Sequence, residues 1–193
     1  NSHFIFSLQQ KMLQHCGQQI KFRFAILDVH DDRHEYFISE TNEVVEEVIP
    51  DAKVGYLSGP TFASEIAKGL PCAVTLAMEP KHKDLGEEIV NAMGSRTLRT
   101  YLADDIIGAQ IGGSIKNVIA IAAGVIHGRG MGESARCALV TRGLTEMGRL
   151  AKALGAQKGT LMGMCGVGDL FLTCSSMQSR NFSLGVALGE GKS

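Results

Sequence analysis

Lys116 stands in the run Ile111-Gly-Gly-Ser-Ile-Lys-Asn-Val-Ile119, an ammonium set among Ile111, Ile115, Val118, Ile119 and Ile121. On a helix with almost no solvated face such a group is expected to lose its water, which pushes a lysine pKa down toward neutrality. A lysine so tuned exchanges a proton with a substrate oxygen, and its charged form polarises a carbonyl. The plainer alternative is a lysine that reaches solvent or pairs with an aspartate. Gly112 and Gly113 lie one turn earlier, where two glycines cost a helix roughly 2 kcal/mol relative to alanines. Something must come close to the backbone there, a ligand or a crossing helix.

Three other groups carry polar chemistry. Asp169 sits in Gly166-Val-Gly-Asp-Leu-Phe-Leu-Thr-Cys174, where apolar neighbours make an isolated carboxylate expensive, and a lysine is its obvious partner. In Ser179-Arg180-Asn181 the arginine offers a fork for phosphate and its neighbours add hydrogen bonds, although an exposed loop arginine is usually just solvated. Ser58-Gly59-Pro60-Thr61 ends an expected strand and opens an expected helix, so free N–H groups should face a polar ligand at the carboxyl end of a sheet. The competing reading has Thr61 merely capping its own helix.

These groups need elements to hold them. Strands are expected at Lys53 to Ser58, Cys72 to Met78 and Thr97 to Leu102, and helices at Glu43 to Ile49, Thr61 to Lys68 and Lys81 to Met93. Alternation at this spacing predicts α/β layering with parallel strands covered on both faces, part of a doubly wound sheet. After Asp104-Asp105, plausible caps, the strand signals stop. Ile106 to Ile126 reads as a buried helix, apolar nearly all round; it approaches a membrane span in length, but Gln110, Lys116 and Asn117 would be costly in lipid. Ser134 to Leu154 is amphipathic and closes at Gly155. Residues 1 to about 40 give no firm element.

Composition narrows the function. With 193 residues, Lys plus Arg 19 against Asp plus Glu 20, and 45% hydrophobic residues, the chain is neither a charge-driven nucleic-acid binder nor a disordered segment. Five scattered cysteines without a Cys-x-x-Cys pair argue against disulfides and structural zinc, and fit a reducing cytoplasm. No metal spacing appears among the six histidines. Gly130 to Ala135 matches a dinucleotide motif by letter but follows a helix, and Gly191-Lys192-Ser193 lacks the first glycine of a P-loop.

Leu57-Ser-Gly-Pro-Thr-Phe-Ala63, Gly112-Gly-Ser-Ile-Lys-Asn117, Thr141-Arg-Gly-Leu-Thr-Glu146, Gly166 to Cys174 and Ser179-Arg-Asn181 together resemble bacterial-type NAD(P)-dependent glycerol-3-phosphate dehydrogenase, in order and in spacing, over about positions 42 to 193. The resemblance implies hydride transfer from NADH or NADPH to dihydroxyacetone phosphate, giving sn-glycerol 3-phosphate for phospholipid synthesis. It implies that Lys116 is catalytic, that Gly59, Thr61, Asn117, Asp169, Thr173, Ser179, Arg180 and Asn181 join it in binding substrate, and that Ala63 and Arg180 contact cofactor. It further implies the C-terminal part of a Rossmann-like domain within 1–105 and an all-helical substrate domain over 106–193, with a homodimer as the expected assembly.

The departures are equally specific. The family begins with a glycine-rich phosphate loop, and nothing in residues 1–41 supplies one. The chain therefore reads as truncated at both ends, with an N-terminal stretch outside the family pattern. An isolated chain of that kind is expected to bind NADH poorly and turn over little. A non-catalytic fragment, and a related 3-hydroxyacid or 6-phosphogluconate dehydrogenase, are the competing readings.

Overall fold

The computed structural model describes residues 53–192. The helix expected over 43–49 and the stretch 1–41 lie outside them. The described chain forms β1 (Gly55–Ser58), α1 (Ala63–Ala67), β2 (Cys72–Met78), α2 (Lys83–Met93) and β3 (Leu98–Ala103), followed by α3 (Ile106–Gly128), α4 (Glu133–Ala153), α5 (Asp169–Ser175) and α6 (Arg180–Gly189). A short 3-10 turn, Pro80–His82, leads into α2, and one wide π turn, Met164–Gly168, leads into α5.

The sheet has the order β1-β2-β3, with β2 and β3 parallel but β1 antiparallel to β2. This corrects the expectation of parallel strands throughout. Ser58 lies opposite Thr75, so the end of β1 is already beside the start of β2 and the chain needs only a wide loop containing α1, not a crossover. The corner after β1 therefore sits at the amino end of β2 and β3, opposite to the end expected from the sequence.

Alternation along β2 divides the core. Val74, Leu76 and Met78 face α2 and pack with Ile89, Met93 and Leu98. Ala77 faces the other way and meets Ile106, Ala109 and Cys165 at the seam with the helices. Beyond the seam, Ile111, Ile119, Met147, Leu161, Leu170, Phe182 and Val186 form the helical core.

Asp105 starts α3 as its cap, its Oδ1 accepting from the Gly108 N–H at 2.8 Å. Its other oxygen accepts from the Gln157 N–H at 2.8 Å and from the Thr160 hydroxyl, fastening the segment before α5 to the start of α3. At 23 residues α3 is long and apolar enough to cross a membrane, yet α4, α5 and α6 all pack on it. It is not buried all round, because Val118 is 65% exposed on the side those helices leave open.

The crossing of α3 and α6 is unusually close. A Cβ on Gly124 would lie 2.2 Å from the Phe182 carbonyl oxygen, and one on Gly185 would lie 2.0 Å from that of Ile121. Gly128 and Gly189 repeat the arrangement one turn further on. Four glycines, in pairs four residues apart, let the two backbones touch and fix where the start of α6 meets the middle of α3.

Candidate active site

The side chain of Lys116 projects from the middle of α3 and is 20% exposed. It donates a hydrogen bond to Asp169 Oδ2, forming an ion pair between α3 and the first residue of α5. The plainer alternative for Lys116, pairing with an aspartate, is thus realised, and the pair sits in the wall of a cavity. That cavity, about 320 Å³, is lined by Lys116, Asp169, Gly113, Tyr56, Ser58, Gly59 and Thr61 among others.

Asp169 is buried, with three donors around it. Besides Lys116, the Ser58 hydroxyl approaches Oδ2 at 3.5 Å and the Thr173 hydroxyl approaches Oδ1 at 3.3 Å, while also donating to the Asp169 carbonyl at 2.6 Å. Burial nevertheless dominates, raising the carboxyl pKa above its ordinary value despite the opposing charge of Lys116. A carboxyl raised in this way, beside an ammonium, makes a site that can hold or pass a proton.

The remaining residues divide by position. Asn117 donates to the Gly113 carbonyl at 3.4 Å and accepts from Asn181 Nδ2 at 2.9 Å, so the first turn of α6 is tied to the residue beside the lysine. Ser179 caps α6, its hydroxyl accepting from the Phe182 N–H at 3.2 Å. Arg180 is exposed at the start of α6 and does not line the cavity, so the structure does not gather it with Lys116 and Asp169 in one enclosed space. Ala63 is exposed at the start of α1, two residues past Thr61.

The two glycine expectations resolve separately. A Cβ on Gly112 would lie 2.1 Å from the Cys165 carbonyl oxygen, so the π turn before Asp169 is what approaches the helix there. Gly113 faces the cavity, where a Cβ would lie 2.6 Å from Tyr56 Oη. Thr61 does not cap α1, since Phe62 holds that position without a side-chain hydrogen bond. Tyr56 went unnoticed as a site residue and Ser58 was named only within the corner after β1, although their two-residue spacing on β1 places both on one face. Burial, with the Asp169 charge adding to it, pushes the Tyr56 phenol pKa up.

The described residues form no pyrophosphate cradle at the corner after β1. Gly59, the glycine of the strand-to-helix corner, has its missing Cβ space filled by the Val74 backbone at 2.9 Å, and α1 has only five residues. The packed side of that corner provides no cradle for a pyrophosphate, while its other side lines the cavity. Among the described residues no three His, Cys, Asp or Glu side chains converge on a metal site.

A profile for the C-terminus of NAD-dependent glycerol-3-phosphate dehydrogenase matches residues 105–193, and one for its N-terminus matches residues 10–84. The chain belongs to that family. The N-terminal match begins inside the 1–41 stretch from which no motif was read, so the likeness extends further toward the N-terminus than the motifs do. The reading as a 3-hydroxyacid or 6-phosphogluconate dehydrogenase falls with these matches. A glycerol-3-phosphate dehydrogenase (NAD(P)+) of Rhodospirillum rubrum is 56% identical over 151 residues, 78% of this chain and 43% of that protein. The one from Paramagnetospirillum magneticum is 57% identical over 135 residues, 70% of this chain and 48% of that protein. A crystal structure of glycerol-3-phosphate dehydrogenase from Coxiella burnetii matches with a TM-score of 0.74 and 44% identity, over 78% of this chain and 46% of that one. The chain thus spans about half the length of the curated relatives it matches. The family's Rossmann-like domain followed by helices accounts for the order observed here, a small sheet and then α3 to α6.

Proposed function

We propose that this chain carries the substrate side of a glycerol-3-phosphate dehydrogenase, interconverting dihydroxyacetone phosphate and sn-glycerol 3-phosphate for glycerophospholipid synthesis. The ion pair of Lys116 with buried Asp169 in the cavity wall carries this reading. In the family's reaction the reduced nicotinamide cofactor, NADH or NADPH, would supply the hydride, and NAD or NADP would accept it in the reverse direction. What the described residues handle is the substrate and the proton.

In the reducing direction Lys116 Nζ gives a proton to the carbonyl oxygen, and in the oxidising direction it takes the hydroxyl proton back. Asp169 holds the ammonium in place and, with its raised pKa, lies close enough to share that proton. Thr173 and Ser58 fix the carboxylate, and Gly59 and Thr61 shape the sheet side. Ser179, Arg180 and Asn181 bind the phosphate from the start of α6, with Asn117 anchoring Asn181. Ala63 and Arg180 border the cofactor.

The lack of a pyrophosphate cradle among the described residues favours the second reading, a fragment that keeps substrate residues but turns over little by itself. Free cysteines at 72, 137, 165 and 174 suit a cytoplasmic location, and Leu184 and Leu188, each 50% exposed on α6, suit a homodimer contact.

Calorimetric titration of the chain with sn-glycerol 3-phosphate tests the proposal. Binding that falls at least tenfold in Lys116→Ala supports it, and binding that is absent, or indifferent to that change, overturns it. NADH oxidation that depends on dihydroxyacetone phosphate and disappears in Lys116→Ala would refute the fragment reading.

A further inference from the structure

Tyr56 is set by β1 against one face of α3, the face formed by Ile106, Ala109, Gly113 and Lys116 at three- and four-residue spacing. Two of those four are small. The phenol occupies the room they leave, with Oη so close to Gly113 that a Cβ there would stand 2.6 Å away. Ser58 Oγ would be 3.7 Å from the same point, so both hydroxyls of β1 gather one turn before the lysine.

Ser58 has a partner in Asp169, but Tyr56 Oη makes no hydrogen bond among the described residues. A half-buried phenol keeps only part of its hydration, so it gains from a well-placed acceptor. Here Tyr56 lines the open cavity shared by Lys116 and Asp169, so its hydroxyl pairs with whatever fills that cavity, water or a ligand. Among the lining residues Lys116 is the one cation, and Asp169 already neutralises it. A phosphate dianion would be poorly served on this side. A neutral hydroxyl suits it, since it can accept from Tyr56 while donating to Ser58 or Asp169.

We propose that Tyr56 is a specificity-determining residue, whose hydroxyl donates a hydrogen bond to the free hydroxymethyl group of the three-carbon phosphate engaged by Lys116. The proposal rests on the function proposed above and adds a recognition element on the sheet side. The phenol remains protonated, and so a donor, well past neutral pH, because burial and the Asp169 charge both raise its pKa.

The test uses the whole chain, isotope-labelled at the hydroxyl-bearing ring carbon of its three tyrosines. Tyr56→Phe assigns the signal by its disappearance. The labelled protein is titrated with sn-glycerol 3-phosphate and with the analogue in which the hydroxymethyl is a methyl. The Tyr56 signal should move with the first ligand and stay with the second. Tyr56→Phe should weaken sn-glycerol 3-phosphate about fivefold, the range of one neutral hydrogen bond, and leave the analogue's affinity unchanged.

An unmoved Tyr56 signal, with equal affinities in wild type and Tyr56→Phe while Lys116→Ala still loses binding, overturns the inference and leaves the proposed function standing. If wild type binds neither ligand, both fall. Should Tyr56→Phe fail to fold, the wild-type Tyr56 signal, by then identified through its proximity to Gly113, decides alone.

Discussion

The cavity has a charged wall and a neutral wall, and the two are built differently. On the helix side Lys116 and Asp169 stand on elements locked by backbone contact, with Gly112 against the Cys165 carbonyl and α3 against α6 through paired glycines. On the sheet side Tyr56, Ser58 and Thr61 hang from a four-residue strand and the loop after it. Charges that must be held at fixed separation in a dry site need a stiff support, because a small displacement changes their energy steeply. Hydroxyls tolerate more play, since they rotate to meet a partner.

If stiffness resides in the glycine crossing, breaking it should have the largest effect. Gly185→Leu drives a side chain into the Ile121 carbonyl, which is backbone and cannot yield cheaply. We expect a loss of about 3 kcal/mol or more in urea denaturation, with the Asn117–Asn181 bond lost as well. A stability within 1 kcal/mol of wild type, roughly the scatter of an ordinary surface change, would mean the crossing is not the support.

The charged wall should also impose a pH dependence. The folded carboxyl of Asp169 titrates above its reference value of 3.8, so the folded state holds that proton more tightly than the unfolded chain. Its contribution to stability is therefore complete below pH 3.8 and is lost as pH rises through the raised folded value. Asp169→Asn should remove that decline, so the wild-type stability curve falls relative to the variant across that window. Parallel curves would contradict the burial argument.

The neutral wall makes a subtler demand. Gly113→Ala places a methyl against Tyr56 Oη, and the cost should be about 1–2 kcal/mol in wild type and distinctly smaller in a Tyr56→Phe background. Equal costs would show that the phenol is not what Gly113 accommodates. The smallest effect belongs to Gln178, which accepts from Ser64 at 3.2 Å and donates to Glu65 at 3.5 Å, linking α1 to the loop before α6. These contacts are exposed, so Gln178→Ala should cost less than about 1 kcal/mol. Faster hydrogen exchange over 176–181 would report the loosened link.

The sequence revealed the charged wall better than the neutral one. A lysine and an aspartate in apolar runs are conspicuous because burial of a lone charge is so costly, and β2, with the run Cys72 to Met78, falls within its expected bounds. Tyr56 escaped because a tyrosine in a strand is ordinary β-sheet composition. The antiparallel pairing of β1 was hidden because the connection over 59–71 is long enough for either direction. The glycine crossing was hidden for another reason: Gly124 and Gly128 lie some sixty residues from Gly185 and Gly189, and spacing within each pair does not say which segments meet. Arg180, grouped by sequence with the other charges, lies outside the cavity lining.

Asp105 gives this arrangement a pivot. By gripping Gly108, Gln157 and Thr160 at once, a single carboxylate rivets the root of the lysine helix to the strand of chain that delivers Asp169. The acid and the amine are thereby clamped into one unit, and the tyrosine reaches them only through the way its strand leans on the same helix.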